Sequence, residues 1–288
     1  MPPYVDRAAA DERAAAFAGR AFRGAAATSA LRRILAATDL TSLEGDDTPA
    51  RVRALCARAR RPDPSRDDLP KVAAVCVWPR GVATARRALE GTGVRVASVA
   101  TGFPAGQTGA QARLTDLREA LDAGADEIDM VLDRAAFLAG DTERCADGVR
   151  AAKEACGTRC LKVILEVGEL GDYDAVRRAA QLAIEAGADF VKTSTGKIPA
   201  GATPGTVLVL LETARAHALH GGRAVGVKAA GGIRTARQAL ALTAMVQETL
   251  GPDWLAPERF RIGASSLLAD VVARLRDHDA AVAAGGPA

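Results

Sequence analysis

The chain has 288 residues, of which 49% are hydrophobic and 25% charged, a composition typical of a globular protein and unlike that of a disordered or fibrous one. The 38 basic and 35 acidic residues nearly cancel, and a net charge of +3 argues against a nucleic-acid or anionic-membrane surface. The 3 histidines lie in polar stretches, so the chemistry is expected to use Lys, Asp, Glu, Cys, Ser or backbone amides instead of a His triad or a His-based metal centre.

The N-terminal segment and the cysteines indicate a compartment. Residues 1–22 are rich in Ala and Arg but carry acidic side chains, and they lack the apolar core of a signal peptide. No stretch reaches the ~18 uninterrupted apolar residues of a membrane span. The 5 scattered cysteines suit a reducing cytoplasm, and Cys156 and Cys160 lack a second pair at zinc spacing. We therefore expect a cytoplasmic protein without a structural zinc ion.

Eight short apolar segments, each a candidate buried strand, alternate with helix-length segments. The eight are residues 33–40, 71–78, 95–101, 126–132, 161–167, 189–195, 224–230 and 259–265. Such alternation indicates right-handed crossovers and a parallel sheet, and eight units in one chain predict a closed (β/α)8 TIM barrel. An open doubly wound sheet is the alternative, but it requires a glycine-rich dinucleotide loop after its first strand, where this chain has TSLEGDDTP.

Helix-start signals support this alternation. Thr48 with Pro49, and Thr203 with Pro204, each place an N-cap residue before a proline at the first helical position. Before the first strand, the sequence predicts one or two extra helices that pack on the barrel floor or on a partner. We divide the chain into an N-terminal helical extension, a single catalytic barrel domain and a flexible tail, over residues 1–30, 31–280 and 281–288.

Polar side chains recur at or near the carboxyl ends of the predicted strands, where such barrels carry their reactive groups. They are Asp39, Thr41, Cys76, Asp129, Lys192 and Lys228. A charged group inside an apolar segment is costly unless it is paired or functional. A single strand lysine is more often a buried ion pair, but three charged residues on strands four, six and seven favour a function.

Lys192 follows the apolar segment ADFV, and burial there is expected to lower its pKa and leave a neutral amine. A neutral amine attacks carbonyl carbons to form a Schiff base, and a neighbouring cation lowers the pKa further. Lys228 lies at the corresponding height on the adjacent predicted strand and is the candidate for that cation. Lys192 is therefore the candidate covalent residue.

A second group of residues suits an anion. Lys197 follows a glycine in a loop, and glycine-containing turns open the helices after strands seven and eight, where free N–H groups attract phosphate. One such turn alone is equally explained as a helix cap, whereas two turns and a lysine predict a phosphate cradle. The cradle, with Thr195 as a further substrate contact, comprises Lys197, Gly231, Gly232, Ser265 and Ser266.

Eight motifs, spread over residues 35–275, carry a resemblance to a known family. They are DLTSLEGDDT, VCVWPR, GFPAGQT, ADEIDMVLD, LKVILEVGEL, ADFVKTSTGK, VGVKAAGGIRT and FRIGASSLL. The chain resembles the deoxyribose-phosphate aldolases, which are Schiff-base aldolases of the (β/α)8 fold. The resemblance implies that Lys192 forms the Schiff base, that Lys228 perturbs it, and that Asp129 joins Lys228 in proton transfer through a water molecule. It also implies that the pocket is lined by Asp39, Thr41 and Cys76.

The resemblance further implies a substrate, 2-deoxy-D-ribose 5-phosphate, cleaved reversibly to acetaldehyde and glyceraldehyde 3-phosphate in deoxyribonucleoside catabolism. The iminium is then the electron sink for carbon–carbon cleavage, so neither a metal nor a cofactor is expected. The expected partner is this small phosphorylated sugar or aldehyde, without nucleic acid or membrane, and a homodimer is left open.

The chain departs from the family pattern at three strand or loop positions and at its end. Ala229 replaces a usual proline, Gly102 an asparagine and Val167 a threonine, and the C-terminal tyrosine of some members is missing. These changes alter the polarity of the pocket more than the reaction. Two alternatives stay open: a non-catalytic phosphate-binding barrel, which would be expected to have lost one of the three charged strand residues, and a Schiff-base aldolase for another sugar phosphate or keto acid.

Overall fold

Eight parallel strands close into a barrel in chain order in the computed structural model, which describes residues 4–20, 22–199 and 201–283. Each strand pairs with the next, and β8 pairs with β1. The strands are β1 Thr38–Thr41, β2 Ala74–Val77, β3 Arg95–Ala100, β4 Glu127–Val131, β5 Cys160–Ile164, β6 Phe190–Lys192, β7 Gly226–Ala230 and β8 Phe260–Ala264. The predicted (β/α)8 barrel is confirmed.

Helices connect successive strands and cover the outside of the barrel. They are α1 Arg7–Ala18, α2 Gly24–Ala36, α3 Pro49–Arg60, α4 Pro79–Leu89, α5 Ala110–Asp122, α6 Arg134–Leu138, α7 Thr142–Cys156, α8 Tyr173–Glu185, α9 Pro204–Leu219, α10 Ala236–Leu250 and α11 Leu267–Ala283. Thr48 caps α3 and Thr203 caps α9 through their side chains, as predicted. Within the described part of the chain, no helix is both long and apolar enough to cross a membrane.

The prediction of a strand over residues 33–40 is wrong in its first half. Residues 33–36 complete α2, which buries Leu31, Ile34 and Leu35 at helical spacing against the barrel. The strand begins only at Thr38, after the helix cap at Ala37. An apolar segment that ends a helix and starts a strand without a polar break hides the boundary between them.

The two helices before β1 pack on the outer layer of the same barrel. Helix α1 lies against α9 and α10, and α2 lies against α10 and α11. The Tyr173 hydroxyl donates to Asp11 at 2.5 Å, and Arg13 pairs with Glu212, which fastens α1 to α8 and α9. At the other end of the chain α11 continues to Ala283, and residues 284–288 of the predicted tail lie outside the described residues.

Glycines make room for large side chains inside the barrel. A Cβ at Gly226 would overlap the ring of Phe190 on the neighbouring strand β6. A Cβ at Gly263 would lie 2.9 Å from Cβ of Ala230 and 3.1 Å from Cε of Lys228. Because Cβ atoms rarely approach other heavy atoms so closely, the absence of a side chain at position 263 leaves room for Lys228.

Candidate active site

The barrel interior holds a cluster of seven charged side chains, each at most 5% exposed. We call it the buried charge cluster; its members are Asp39, Glu127, Asp129, Lys162, Lys192, Lys228 and Arg261. Four bases here face three carboxylates, so the cluster becomes electrically neutral when one of the bases gives up its proton. Buried charges are tolerated when they are balanced and hydrogen-bonded. The composition of the cluster therefore favours one uncharged amine.

Asp129 is the residue on which three lysines converge. Its Oδ2 accepts hydrogen bonds from Nζ of Lys192 at 2.8 Å and from Nζ of Lys228 at 2.7 Å. Its Oδ1 accepts from Nζ of Lys162 at 2.9 Å. Lys192 and Lys228 are register partners on β6 and β7, which bears out their predicted equal height. Of the three residues predicted to carry the chemistry, the two lysines thus both donate to the third, Asp129.

The two lysines that donate to Oδ2 of Asp129 differ in pKa because their surroundings differ. Burial lowers the pKa of Lys192; Asp129 opposes this shift and the charge of Lys228 adds to it. Burial also acts to lower the pKa of Lys228, but Asp129 and Asp39 outweigh it and raise that pKa above its ordinary value. Of the two, Lys192 therefore gives up its proton more readily, and Lys228 holds its proton more firmly.

Burial acts to raise the pKa of Asp129, yet the three lysines hold it well below its usual range. Asp129 is consequently a carboxylate at neutral pH, able to accept a proton from a group or water molecule beside it. The pair Asp129 and Lys228 thus places a carboxylate and an ammonium group next to the amine of Lys192.

Sequence reasoning missed three members of the buried charge cluster, Lys162, Glu127 and Arg261. Lys162 pairs with Glu127 at 2.5 Å, and Arg261 contacts Glu127 at 2.8 Å and Asp39 at 2.6 Å. The signal was available, because each is a charged residue inside a predicted apolar strand. These residues lie on the side of the cluster toward the strand starts, where they fix the carboxylates that hold the lysines.

A cavity of about 160 Å³ opens at the carboxyl ends of β1, β6, β7 and β8. Lys192 reaches it from the buried charge cluster, and most of the predicted substrate-binding residues line it. These are Thr41, Thr195, Lys197, Gly231, Gly232, Ser265 and Ser266. Gly231 and Gly232 have φ of +92° and +84°, the left-handed conformation that favours glycine and turns backbone toward the cavity edge. The same cavity is thus lined by Lys192 and by the predicted phosphate cradle.

Two predicted pocket residues, Asp39 and Cys76, do not line this cavity. Asp39 is fully buried and its carboxylate contacts Lys228 at 2.6 Å and Arg261 at 2.6 Å. Cys76 is also fully buried, with its Sγ 3.9 Å from Oδ2 of Asp129, and burial raises its thiol pKa to about 11. The structure places both behind the lysines, and their contact with substrate stays a prediction.

Lys197 lies at the mouth of the cavity beside two charged residues that the sequence did not single out. Its Nζ pairs with Oε1 of Glu44 at 3.1 Å, and the Glu44 side chain is 65% exposed. Arg234 lines the same cavity. Because an exposed ion pair contributes little free energy, an anionic ligand can take the place of Glu44 on Lys197.

A protein-family model described as DeoC/LacD family aldolase matches residues 33–272. A deoxyribose-phosphate aldolase of Homo sapiens is 45% identical over 252 residues, which cover 83% of this chain and 79% of the human protein. The corresponding Mus musculus enzyme is 46% identical over 252 residues, with the same shares covered. The resemblance identified from the motifs is confirmed.

Solved structures agree with the fold. A deoxyribose phosphate aldolase from Aeropyrum pernix superposes with a TM-score of 0.66 at 28% identity and covers 85% of this chain and 92% of its own. An aldolase described as QR15 superposes with a TM-score of 0.70 at 26% identity, covering 86% of this chain and 98% of its own.

Proposed function

This chain belongs to the DeoC/LacD family of aldolases, and from that premise we propose that it is a deoxyribose-phosphate aldolase, a carbon–carbon lyase. The substrate is 2-deoxy-D-ribose 5-phosphate, and the products are acetaldehyde and D-glyceraldehyde 3-phosphate. The observation that carries the proposal for the site is the convergence of Lys192 and Lys228 on Asp129, with Lys192 lining a cavity that Lys197 also lines.

Lys192 begins the reaction as a nucleophile. Its neutral Nζ attacks the aldehyde carbon C1 of the open-chain sugar to give a carbinolamine, which takes up a proton from Lys228 and loses water to leave a protonated imine. Removal of the C3 hydroxyl proton then breaks the C2–C3 bond and releases glyceraldehyde 3-phosphate, while the bonding electrons move into the iminium to form an enamine. Protonation of the enamine at C2 and hydrolysis return acetaldehyde and free Lys192.

Asp129 and Lys228 carry the protons in this scheme. Asp129 is the acceptor because neighbouring lysines keep it ionised, and Lys228 is the donor because two carboxylates keep it charged. A water molecule between this pair and the substrate transfers the proton. General acid/base catalysis of this kind contributes ~10²–10⁴-fold to the rate.

The phosphate is bound at the other end of the cavity. Lys197 and Arg234 supply positive charge there, and the turns that precede α10 and α11 supply backbone N–H groups. Ser265 and Ser266 add hydroxyl donors. This arrangement holds the phosphorylated end of the sugar at the mouth while C1 lies at Lys192.

The test is a panel of phosphorylated substrates. The purified protein is expected to cleave 2-deoxy-D-ribose 5-phosphate far faster than fructose or keto-gluconate phosphate esters. Equal or faster cleavage of a ketose or keto-acid ester would favour the alternative Schiff-base aldolase. The absence of cleavage of every ester, with intact phosphate binding, would favour the non-catalytic barrel.

Two further predictions from the sequence, the compartment and the oligomeric state, remain proposals. We place the enzyme in the cytoplasm because its cysteines are unpaired and scattered among the described residues. The Aeropyrum pernix relative is described as tetrameric, and a homodimer of the present chain stays a prediction.

A further inference from the structure

Glu166 is a buried carboxylate that the proposed reaction does not use. It is 1% exposed, and none of the ion pairs among the described residues includes it. Its two oxygens accept instead from Thr195: the backbone N–H lies 3.1 Å from Oε1, and the hydroxyl lies 2.5 Å from Oε2. Burying a carboxylate without a cation is unfavourable, so these hydrogen bonds have to compensate for lost hydration.

The backbone at Glu166 is also unusual. Its φ of 55° and ψ of 60° lie in the left-handed region, which a residue with a side chain rarely adopts. The Leu165 N–H donates to the Lys192 carbonyl and the Val167 N–H to the Thr193 carbonyl. After β5 the donors advance by two residues, from Leu165 to Val167, whereas the acceptors at the end of β6 advance by only one, from Lys192 to Thr193. The extra residue makes a bulge at Glu166. A bulge redirects a side chain, and this one points the carboxylate at Thr195.

Thr195 passes this constraint on to Lys197. Its hydroxyl donates to Glu166 and accepts from the backbone N–H of Lys197 at 3.1 Å, so it cannot rotate freely. Thr195 and Lys197 both line the cavity. The carboxylate therefore orders the turn Thr195–Gly196–Lys197 from behind the cavity wall.

We propose that Glu166 is a positioning residue for the phosphate end of the cavity, acting through Thr195 on Lys197. This inference rests on the proposed function, because it assigns Lys197 to a phosphate. The left-handed backbone of Glu166 and the burial of its carboxylate without a cation both cost free energy. Both features lie beside the turn that is proposed to hold the substrate, which is where such strain is found when it serves binding.

Two substitutions distinguish the contribution of the Glu166 carboxylate from that of its strained backbone. Glu166→Gly removes the carboxylate and relaxes the left-handed backbone, whereas Glu166→Gln keeps the length and one acceptor oxygen. We expect Glu166→Gly to raise KM for 2-deoxy-D-ribose 5-phosphate about tenfold and Glu166→Gln at most a few-fold. Turnover of unphosphorylated 2-deoxy-D-ribose and borohydride trapping of acetaldehyde are expected to stay near those of the unmodified protein.

A double-mutant cycle shows whether the effect passes through Thr195. Thr195→Val alone and Thr195→Val combined with Glu166→Gln are expected to raise KM equally, because the hydroxyl that links Glu166 to the Lys197 N–H is absent from both, and both keep an acceptor oxygen for the Thr195 N–H. An unchanged KM in Glu166→Gly, equal effects of Gly and Gln, or additive effects in the cycle would overturn the inference. If Glu166→Gly does not fold, Glu166→Asn takes its place in the KM comparison and in the cycle, because asparagine tolerates the left-handed backbone and its shorter side chain does not reach Thr195 in the same way. Failure of the unmodified protein to cleave the phosphorylated sugar would instead overturn the proposed function.

Discussion

Lys192 and Lys197 lie in the same motif, KTSTGK, but in opposite environments. The Lys192 side chain is 4% exposed and contacts Asp129 inside the buried charge cluster. The Lys197 side chain is 30% exposed and pairs with Glu44, which is itself mostly in water. Exposure to water, more than residue type, therefore distinguishes the proposed nucleophile from the proposed anion-binding group.

The two regions also differ in how firmly they are fixed. Each carboxylate of the buried charge cluster contacts at least two bases, so the cluster is arranged before any ligand binds. At the mouth, Lys197 has a single exposed ion-pair partner in the described structure. The chemistry is therefore expected to depend on the preformed interior, and substrate affinity on the exchangeable mouth.

Lys192→Leu, which removes the amine inside the buried charge cluster, is expected to have the largest effect on the cleavage rate. Without the amine no imine forms, so cleavage falls by more than the ~10²–10⁴-fold that a lost general acid/base costs. Asp129 keeps Lys162 and Lys228, and leucine has a similar volume, so the barrel is expected to stay folded. Initial rates and circular dichroism check both points, and substantial residual cleavage would count against the nucleophile.

Asp129→Asn is expected to block proton transfer in the buried charge cluster while leaving imine formation intact. The neutral amide cannot accept the proton, so cleavage falls ~10²–10⁴-fold. Since Asp129 acts to raise the pKa of Lys192, its loss leaves the amine neutral and imine trapping intact. Exchange of acetaldehyde hydrogens with solvent measures the proton transfer. Asp126→Asn, which alters a carboxylate paired with Arg86 before β4, is the control expected to leave the rate unchanged.

Lys197→Ala tests the mouth. Loss of one charged hydrogen bond of about 1.5–3 kcal/mol is expected to raise KM for the phosphorylated sugar by roughly 10- to 100-fold. Turnover of unphosphorylated 2-deoxy-D-ribose is expected to hardly change. Lys71→Ala removes a lysine that bonds to the Thr92 carbonyl before β3, at the other end of the barrel, and is expected to leave both substrates unaffected. A parallel loss on both substrates would show that Lys197 takes part in the chemistry.

Lys228→Met is expected to change the pH dependence of imine formation. Imine formation requires neutral Lys192, so its rate rises with pH through the pKa of that amine. Burial, with the charge of Lys228, lowers this pKa; removing Lys228 takes away a neighbouring cation and leaves Asp129 to Lys192 and Lys162. The midpoint of the trapping rate is expected to shift to higher pH. Lys197→Ala is expected to leave the midpoint in place, and a shift to lower pH in Lys228→Met would contradict the electrostatic account.

Much of this organisation could be predicted from the sequence, because the eight apolar segments and the charged residues within them carry the signal. Alternation along a strand says that Lys192 and Lys228 share the interior face. It does not say how far along the barrel axis each side chain reaches, so alternation alone does not predict that Asp39 contacts Lys228 and Arg261.

Other features depend on contacts between distant parts of the chain. Lys162, Glu127 and Arg261 form one network only after β4, β5 and β8 are brought together by barrel closure. The left-handed backbone of Glu166 has no sequence signal, since glycine or asparagine would ordinarily mark such a position. The carboxylate at this position is bound by Thr195, 29 positions later in the chain.

The central claim is that Lys192 is the covalent residue, and borohydride reduction in the presence of acetaldehyde tests it most directly. Digestion and mass spectrometry of the reduced protein are predicted to find a two-carbon ethyl group on Lys192. Lys162 and Lys228 in the same cluster, and Lys197 at the mouth, are predicted to stay unmodified. A stable adduct on any of these three lysines in place of Lys192, or no adduct in protein that cleaves the sugar, would contradict the account.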